Sequence, residues 1–496
     1  MIESVPEVRR RALNDEGHQE EGTWVLYWMV AHRRPTYNFA LQRAVELAQE
    51  WGRPLLILEG LRHGYEWACD RFHAFILEGM AHNQQAFEGP GVRYMPFVER
   101  EDRPGEGLLE SLSKESVAVV VDDFPAFFLP RMVEAAGKKV EVAMEAVDSN
   151  GYLPMRGTEK KYKRAYDFRR YLHKEVVNQP PVWPKRDPLE ALDVRWGDDE
   201  EQVLASIQER WPQASPSLLS ADREALSELP IDHDIAPNAD FPGGLKAARE
   251  RLSRFMEEGL RAYHERRNDV SEAAESGLSP YLHFGHISTH RLFSVLVDRE
   301  GWTLDDVDAD RISKREGFWQ MSEGGEAFAD QILTWREVGF NRCVLDPEGY
   351  DQYDTLPEWA RTTMAEHADD ERPFLYSLEE FEAAQTHDEL WNAAQNQLVE
   401  TGVMHNYLRM LWGKKIFHWS ESPREALSIM VELNNKYALD GRDPNSYNGI
   451  FWVLGRFDRA WGPEREVFGK IRYMTSRSTR RKFKVDAYIE RFEGSV

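Results

Sequence analysis

LWNAAQNQLVETGVMHNYLRMLWGKKIFHW, residues 390–419, and LNNKYALDGRDPNSYNGIFW, residues 433–452, are the stretches around which the rest of the chain is organised. Thr386-His387-Asp388-Glu389 has the form of a capping box, so a helix is expected to start near Leu390. Gly402 marks its end, and a second helix is expected over 404–419. On that helix Asn406, Arg409, Met410 and Gly413 fall at i, i+3, i+4 and i+7, which is one face. Trp412 and Trp419 stand two turns apart, about 10 Å along the axis, with Trp391 on the neighbouring helix. A core helix fills such a face with Leu and Ile. This one offers an amide, a guanidinium, a thioether and indoles, and buried polar groups need partners. The face is therefore either a polar-tolerant core or the wall of a site for something polar, flat and large. Asp440 to Asn445 is likewise an ordinary polar turn or a ligand loop. Both readings stand on these residues alone.

At 496 residues the chain has room for two or three domains and a large core. Two cysteines, Cys69 and Cys343, exclude a disulfide framework and any four-cysteine metal or iron–sulfur site, so no metal is expected. No apolar run approaches 18 residues, and residues 1–22 are polar and acidic rather than a signal peptide. A soluble, cytoplasmic protein without a membrane segment is expected. The net charge of −24 argues against a nucleic-acid partner only as an average. Residues 470–484 carry seven basic side chains and no acid, and residues 160–174 are basic apart from Asp167. Each stretch is a solvated face or part of a phosphate-binding rim.

Read in order, residues 1–22 form a polar tail and 23–150 alternate apolar runs with helical patterns. Strands are expected at 23–30, 54–61, 92–97, 116–121 and 139–144. Helices are expected at 37–51, 64–87, 107–114 and 125–136. That rhythm implies an α/β domain with a doubly wound parallel sheet and a ligand crevice near loops 30–35 and 122–124. No G-x-G-x-x-G occurs, so a dinucleotide fingerprint is absent. Residues 151–237, with a proline-rich run at 179–184, read as an interdomain connector. From 238 to 496 helical periodicity dominates, and an all-α domain is expected.

Six motifs, in order, resemble the photolyase/cryptochrome family, and most of all the class II cyclobutane pyrimidine dimer photolyases. They are GLSPYLHFGHIS (277–288), TWRE (334–337), WNAAQ (391–395), MHNYLRMLWGKKI (404–416), LDGRDPN (439–445) and FGKIRYM (468–474). The resemblance implies an all-α FAD-binding domain and a carbon–carbon lyase that uses light to split cyclobutane dimers in UV-damaged DNA, acting as a monomer. It also implies that Ser276, Gly277, Leu278 and Ser279 meet the cofactor phosphates, with Tyr263, Arg336, Asn406 and Asp443 as further FAD contacts. Arg409, held by Asp440, would offset the negative charge of a reduced flavin, and Asn434 would face flavin N5. Trp412, Trp391 and Trp419 match the class II electron-hopping tryptophans; the position used by the class I chain is Ile450 here. Photolyases flip the lesion out of the duplex. Trp335 and Trp452 resemble the indoles that pack on it and Met410 the floor beneath it, while Arg480 and Arg481, in the basic stretch 470–484, are the residues expected to contact DNA phosphates. One departure stands out: Gln331 occupies the place of the family's substrate-binding Glu. Two alternatives therefore stay open, a blue-light-sensing flavoprotein without repair activity and a related enzyme acting on another lesion or substrate. A second, antenna chromophore in the α/β domain also stays open.

Overall fold

The computed structural model describes residues 4–271 and 274–494. The first three residues of the expected tail, and residues 272–273 and 495–496 of the expected helical domain, lie outside them. The chain divides into two compact units. One comprises Met1–Thr158, Pro180–Leu252 and Leu278–Val295; the other comprises Glu159–Gln179, Ser253–Gly277 and Leu296–Val496.

The first unit is built on β1 (Arg10–Ala12), β2 (Trp24–Met29), α1 (Phe39–Trp51), β3 (Leu55–Leu61), α2 (Asp70–Ala86), β4 (Val92–Val98), α3 (Leu108–Lys114), β5 (Ser116–Asp122), α4 (Leu129–Gly137) and β6 (Met144–Val147). The sheet runs β1-β6-β5-β2-β3-β4. All its pairs are parallel except β1 with β6. Every residue of β5 is buried, as a strand covered on both faces by helices requires. Strand order reverses between β2 and β5, the usual place for a ligand crevice. There the Asp122 carboxylate accepts the backbone N–H groups of Val30, Ala31 and His32 at 2.8 Å each, and the Tyr27 hydroxyl at 2.7 Å.

Three local expectations shift. The helix expected from 64 begins at Asp70, because Trp67 takes a left-handed φ of 65° that breaks a helix. The strand expected at 139–144 is Met144–Val147 instead. The polar tail contributes an antiparallel edge strand, so the sheet is mixed rather than wholly parallel. Hydropathy misses that strand because its polar side chains are paired. Arg10 bonds Glu145 at 2.9 Å, and buried Arg9 donates to the carbonyls of Gly151 and Tyr152 and covers the Phe39 ring at 4.5 Å.

Helices dominate the second unit. The stretch 151–237, where weak periodicity predicts little regular structure, supplies α5 (Ala165–Asn178) to it. The Asn406–Trp419 helix packs against Glu389–Thr401, Pro423–Tyr437 and Pro444–Val453. Gly413 permits this: a Cβ there would stand 2.6 Å from Val453 Cγ2 and 3.0 Å from Met430 Sδ. The expected capping box does not form; a single N-cap two residues later starts the helix. Asp388 is the N-cap, accepting the Trp391 N–H at 3.2 Å, while Thr386 Oγ1 donates to Asn392 Oδ1 at 2.7 Å.

Candidate active site

The Asn406–Trp419 helix is buried over most of its length but opens at its N-terminal end, where Asn406 is exposed and Arg409 and Met410 are half-buried. Arg409 donates to Asp440 Oδ1 at 2.9 Å, and its remaining N–H groups have no partner among the described residues. Asp440 sits in the turn between Pro423–Tyr437 and Pro444–Val453, and that turn is rigid for a reason. Arg442 adopts φ 63° and is buried, with its guanidinium bonded to the backbone carbonyls of Asn435 and Ala438 at the end of the preceding helix. A cation there offsets the negative end of the helix dipole. Asp443 caps the next helix through the Asn445 N–H at 2.8 Å.

Asn434 lies one turn before this loop and is 2% exposed. Its Nδ2 donates both to Asn435 Oδ1 at 3.2 Å and to Ser446 Oγ at 2.9 Å. Both amide hydrogens are thus engaged, and Oδ1 is the end left to accept from a ligand. Asn435 is tied in turn to the Tyr447 hydroxyl and to the Arg442 N–H.

Three indoles form a buried series behind the opening. Trp412 Nε1 donates to Gln395 Oε1 at 2.8 Å, and Trp391 Nε1 donates to the Trp412 carbonyl at 3.1 Å. The Trp391 and Trp419 rings lie 6.1 Å apart, edge to face. Beyond Trp419, rings continue to exposed His387 and half-buried Tyr376, which are hydrogen-bonded to each other at 2.7 Å.

Two further indoles are half-exposed. Trp335 ends a π-helical turn, Asp330–Trp335, and its Nε1 donates to Asp330 Oδ2 at 3.2 Å. Gln331, in the same turn, is half-buried, and its amide makes no hydrogen bond among the described residues. Two cations lie near the Trp452 ring, Lys414 Nζ at 5.2 Å and the Arg472 guanidinium carbon at 5.4 Å from its centre. Met410 reaches toward Gly449 on the Trp452 helix.

Of the other expected site residues, Ser276 follows Glu275, whose carboxylate accepts the Asn406 N–H at 2.7 Å. Tyr263 is buried among Phe255 and Phe328, with its hydroxyl pushed up to about 12 by burial. Arg336 is buried with its guanidinium over Phe340. Gly277 has φ 62°, and the division between the units falls between it and Leu278; Ser279 is exposed at the start of a five-residue helix. Arg480 and Arg481 are both exposed, but Arg480 is bonded to Glu389 at 2.9 Å.

Sequence reading missed two polar elements here. Lys414 is fully buried, donates to the Val453 carbonyl at 2.5 Å, and is pushed down to about 7 by burial. Arg169, on α5, forms a two-armed ion pair with Asp330 at 2.7 and 3.1 Å, both side chains being 6% exposed. Nothing in a Lys-Lys pair signals that both side chains are buried. No local pattern links positions 169 and 330.

The chain is 33% identical to a deoxyribodipyrimidine photo-lyase from Methanothermobacter thermautotrophicus over 98% of both chains. It is 31% identical to the Arabidopsis thaliana protein of that name over 94% of this chain and 88% of the other. It is 29% identical to that of Potorous tridactylus over 96% and 83%. Among solved structures, a bacterial class III photolyase from Agrobacterium tumefaciens superposes with a TM-score of 0.64 at 16% identity, covering 95% of this chain and 86% of that one, which is a likeness of fold. No family model matches the chain.

Proposed function

The chain belongs to the deoxyribodipyrimidine photo-lyase family, and on that premise we propose that it repairs cyclobutane pyrimidine dimers in UV-damaged DNA, in the manner of class II enzymes, with FAD as cofactor. FAD, when bound and reduced, supplies on absorbing light the electron that opens the cyclobutane ring. The rest is the work of the protein's own side chains. The observation that carries the proposal is the Asn434 amide. With both hydrogens engaged, its Oδ1 suits the N5–H of a reduced flavin. Arg409 fits beside it, a guanidinium anchored by one carboxylate and with N–H groups to spare for an anionic ring. Asn406 at the opening, Asp443 in the loop, and Tyr263, Ser276, Gly277, Leu278, Ser279 and Arg336 are the further contacts we assign to FAD.

Trp412, Trp391 and Trp419 form the route by which electrons reach the flavin site from outside, each indole buried so that little solvent reorganises around it. Trp335 and Trp452 stack on the flipped dimer over Met410, and Gln331 presents its unpaired amide to the carbonyl and N–H edge of the pyrimidine. Arg481 and the exposed basic residues of 160–174 bind phosphate, with Arg480 contributing once Glu389 releases it. An antenna chromophore fits against an aromatic cluster of the first unit. Half-buried Tyr65, Trp67, Phe127 and Phe128 pack together just beyond the C-terminal ends of β3 and β5.

Gln331 is the observation that favours a second reading, a light-sensing flavoprotein that does not repair. The deciding experiment is repair of UV-irradiated oligothymidine by the reduced protein under blue light. Recovery of unmodified thymines is expected. None at all, with FAD bound and reduced in wild type and in Gln331→Glu alike, would leave the sensor or an enzyme acting on another lesion or substrate.

A further inference from the structure

Asp330 and Trp335 are five residues apart, which on an α-helix would put them about 140° from each other around the axis. The turn between them is π-helical: the Arg336 N–H bonds the Gln331 carbonyl, five residues back. That widening brings the Trp335 indole N–H onto Asp330 Oδ2 at 3.2 Å. The same carboxylate is gripped by both arms of Arg169 from α5, and Arg315 Nε approaches Oδ2 at 3.8 Å. So a half-exposed indole is held by its one polar atom to a buried carboxylate, and that carboxylate is held by a buried guanidinium fork.

We propose that Arg169 and Asp330 are positioning residues that hold the Trp335 ring in its dimer-stacking orientation before DNA arrives. The inference rests on the reading of Trp335 as a lesion-stacking residue. A ring bounded by solvent on one side is otherwise free to turn about χ2, and ordering it on binding would cost affinity. The ion pair removes that cost in advance. Arg169 touches neither lesion nor cofactor in this scheme; it acts only through Asp330.

The test is a double-mutant cycle on dark binding of an oligonucleotide carrying one cyclobutane dimer, using the full-length flavin-loaded protein. Arg169→Lys keeps the charge and loses the fork; Trp335→Phe keeps a ring and loses the N–H. Each is expected to raise the Kd about 3–10-fold, the scale of one hydrogen bond. The double variant should bind no more weakly than Trp335→Phe alone, because the contact through which Arg169 acts is already gone. Flavin occupancy and thermal midpoint should hold in Arg169→Lys. Should that variant fold poorly, Asp330→Asn in the same cycle, which keeps an acceptor for the indole, is expected to bind more tightly than Asp330→Ala. Losses that add in the double variant, or fall together with flavin occupancy, would reduce the pair to a structural role and overturn the inference. If Trp335→Ala leaves dimer affinity unchanged, the lesion-stacking reading itself fails, and the inference with it.

Discussion

Five tryptophans of the helical unit fall into two sets whose surroundings differ far more than their chemistry. Trp391, Trp412 and Trp419 are 0%, 2% and 1% exposed. The first two have their N–H groups satisfied by a backbone carbonyl and a glutamine, and the third faces rings that lead outward. Trp335 and Trp452 are half-exposed; one is pinned to a carboxylate and the other has two cations near its ring. An indole surrounded by protein can exchange electrons but cannot stack on a ligand. One with an open face can stack on a base. The same residue type is thus divided between conduction and recognition by burial.

The sharpest way to break this comparison is to remove one member of each set. Trp452→Ala should weaken binding of a dimer-containing oligonucleotide by about 10–100-fold, the 1–3 kcal/mol of one stacked base, while flavin occupancy stays near that of wild type. Trp391→Phe or Trp412→Phe should remove most of the light-driven reduction of oxidised enzyme, followed by absorbance, yet spare dimer binding. If both kinds of variant lost both properties, burial would not divide the roles.

Why part of this was legible in the sequence and part was not comes down to range. The indoles of the first set sit at positions 391, 412 and 419, on two consecutive helices, so helical spacing alone brings them to one packed seam. The parallel core of the sheet was legible for a similar reason, since strands buried on both faces read as unbroken apolar runs. The β1 edge was not, because Arg9 and Arg10 look like a solvated tail until their partners, more than a hundred residues away, are known. Nor was the grip on Trp335, where the fork and its carboxylate are 161 positions apart and a π-turn has no residue signature comparable to a glycine cap.

Gln331 bears on the recognition set next, with a smaller effect. Its unpaired, half-buried amide adjoins Trp335, and a neutral acceptor there forfeits part of the roughly 1.5–3 kcal/mol that a charged hydrogen bond supplies. Wild type should repair measurably but below its ceiling. Gln331→Glu should raise dimer affinity or quantum yield by about tenfold, measured as thymine recovered per photon absorbed. A Gln331→Glu variant that repairs no better would mean that the pyrimidine edge is read by another group, and would detach Gln331 from Trp335 as a functional unit.

Two adjacent lysines give the smallest and most local version of the same contrast. Lys415 lies 4.8 Å from the Trp419 ring and has Asp388 at 3.7 Å. Lys414, pointing to the other side of the helix beneath Trp452, bonds a carbonyl instead. Burial lowers the pKa of both, and that of Lys414 falls to about 7 from an ordinary 10.5. Between these values the unfolded chain holds a proton that the folded chain does not, so stability should rise with pH from about 7 to 10.5 and level off beyond. Below pH 7 the full cost of a buried ammonium is present. Lys414→Met removes that cost but leaves the Val453 carbonyl unbonded, an offset of about 1–3 kcal/mol. The net gain in unfolding free energy should be about 1–3 kcal/mol at neutral pH, shrinking toward zero or below as the pH approaches 10.5. Urea titrations of both proteins at several pH values would read this directly. The cation beneath Trp452 would also be gone, so any change in dimer binding expected of wild type as the pH crosses about 7 should be absent in Lys414→Met. If stability gained equally at every pH, the benefit would lie in packing rather than charge.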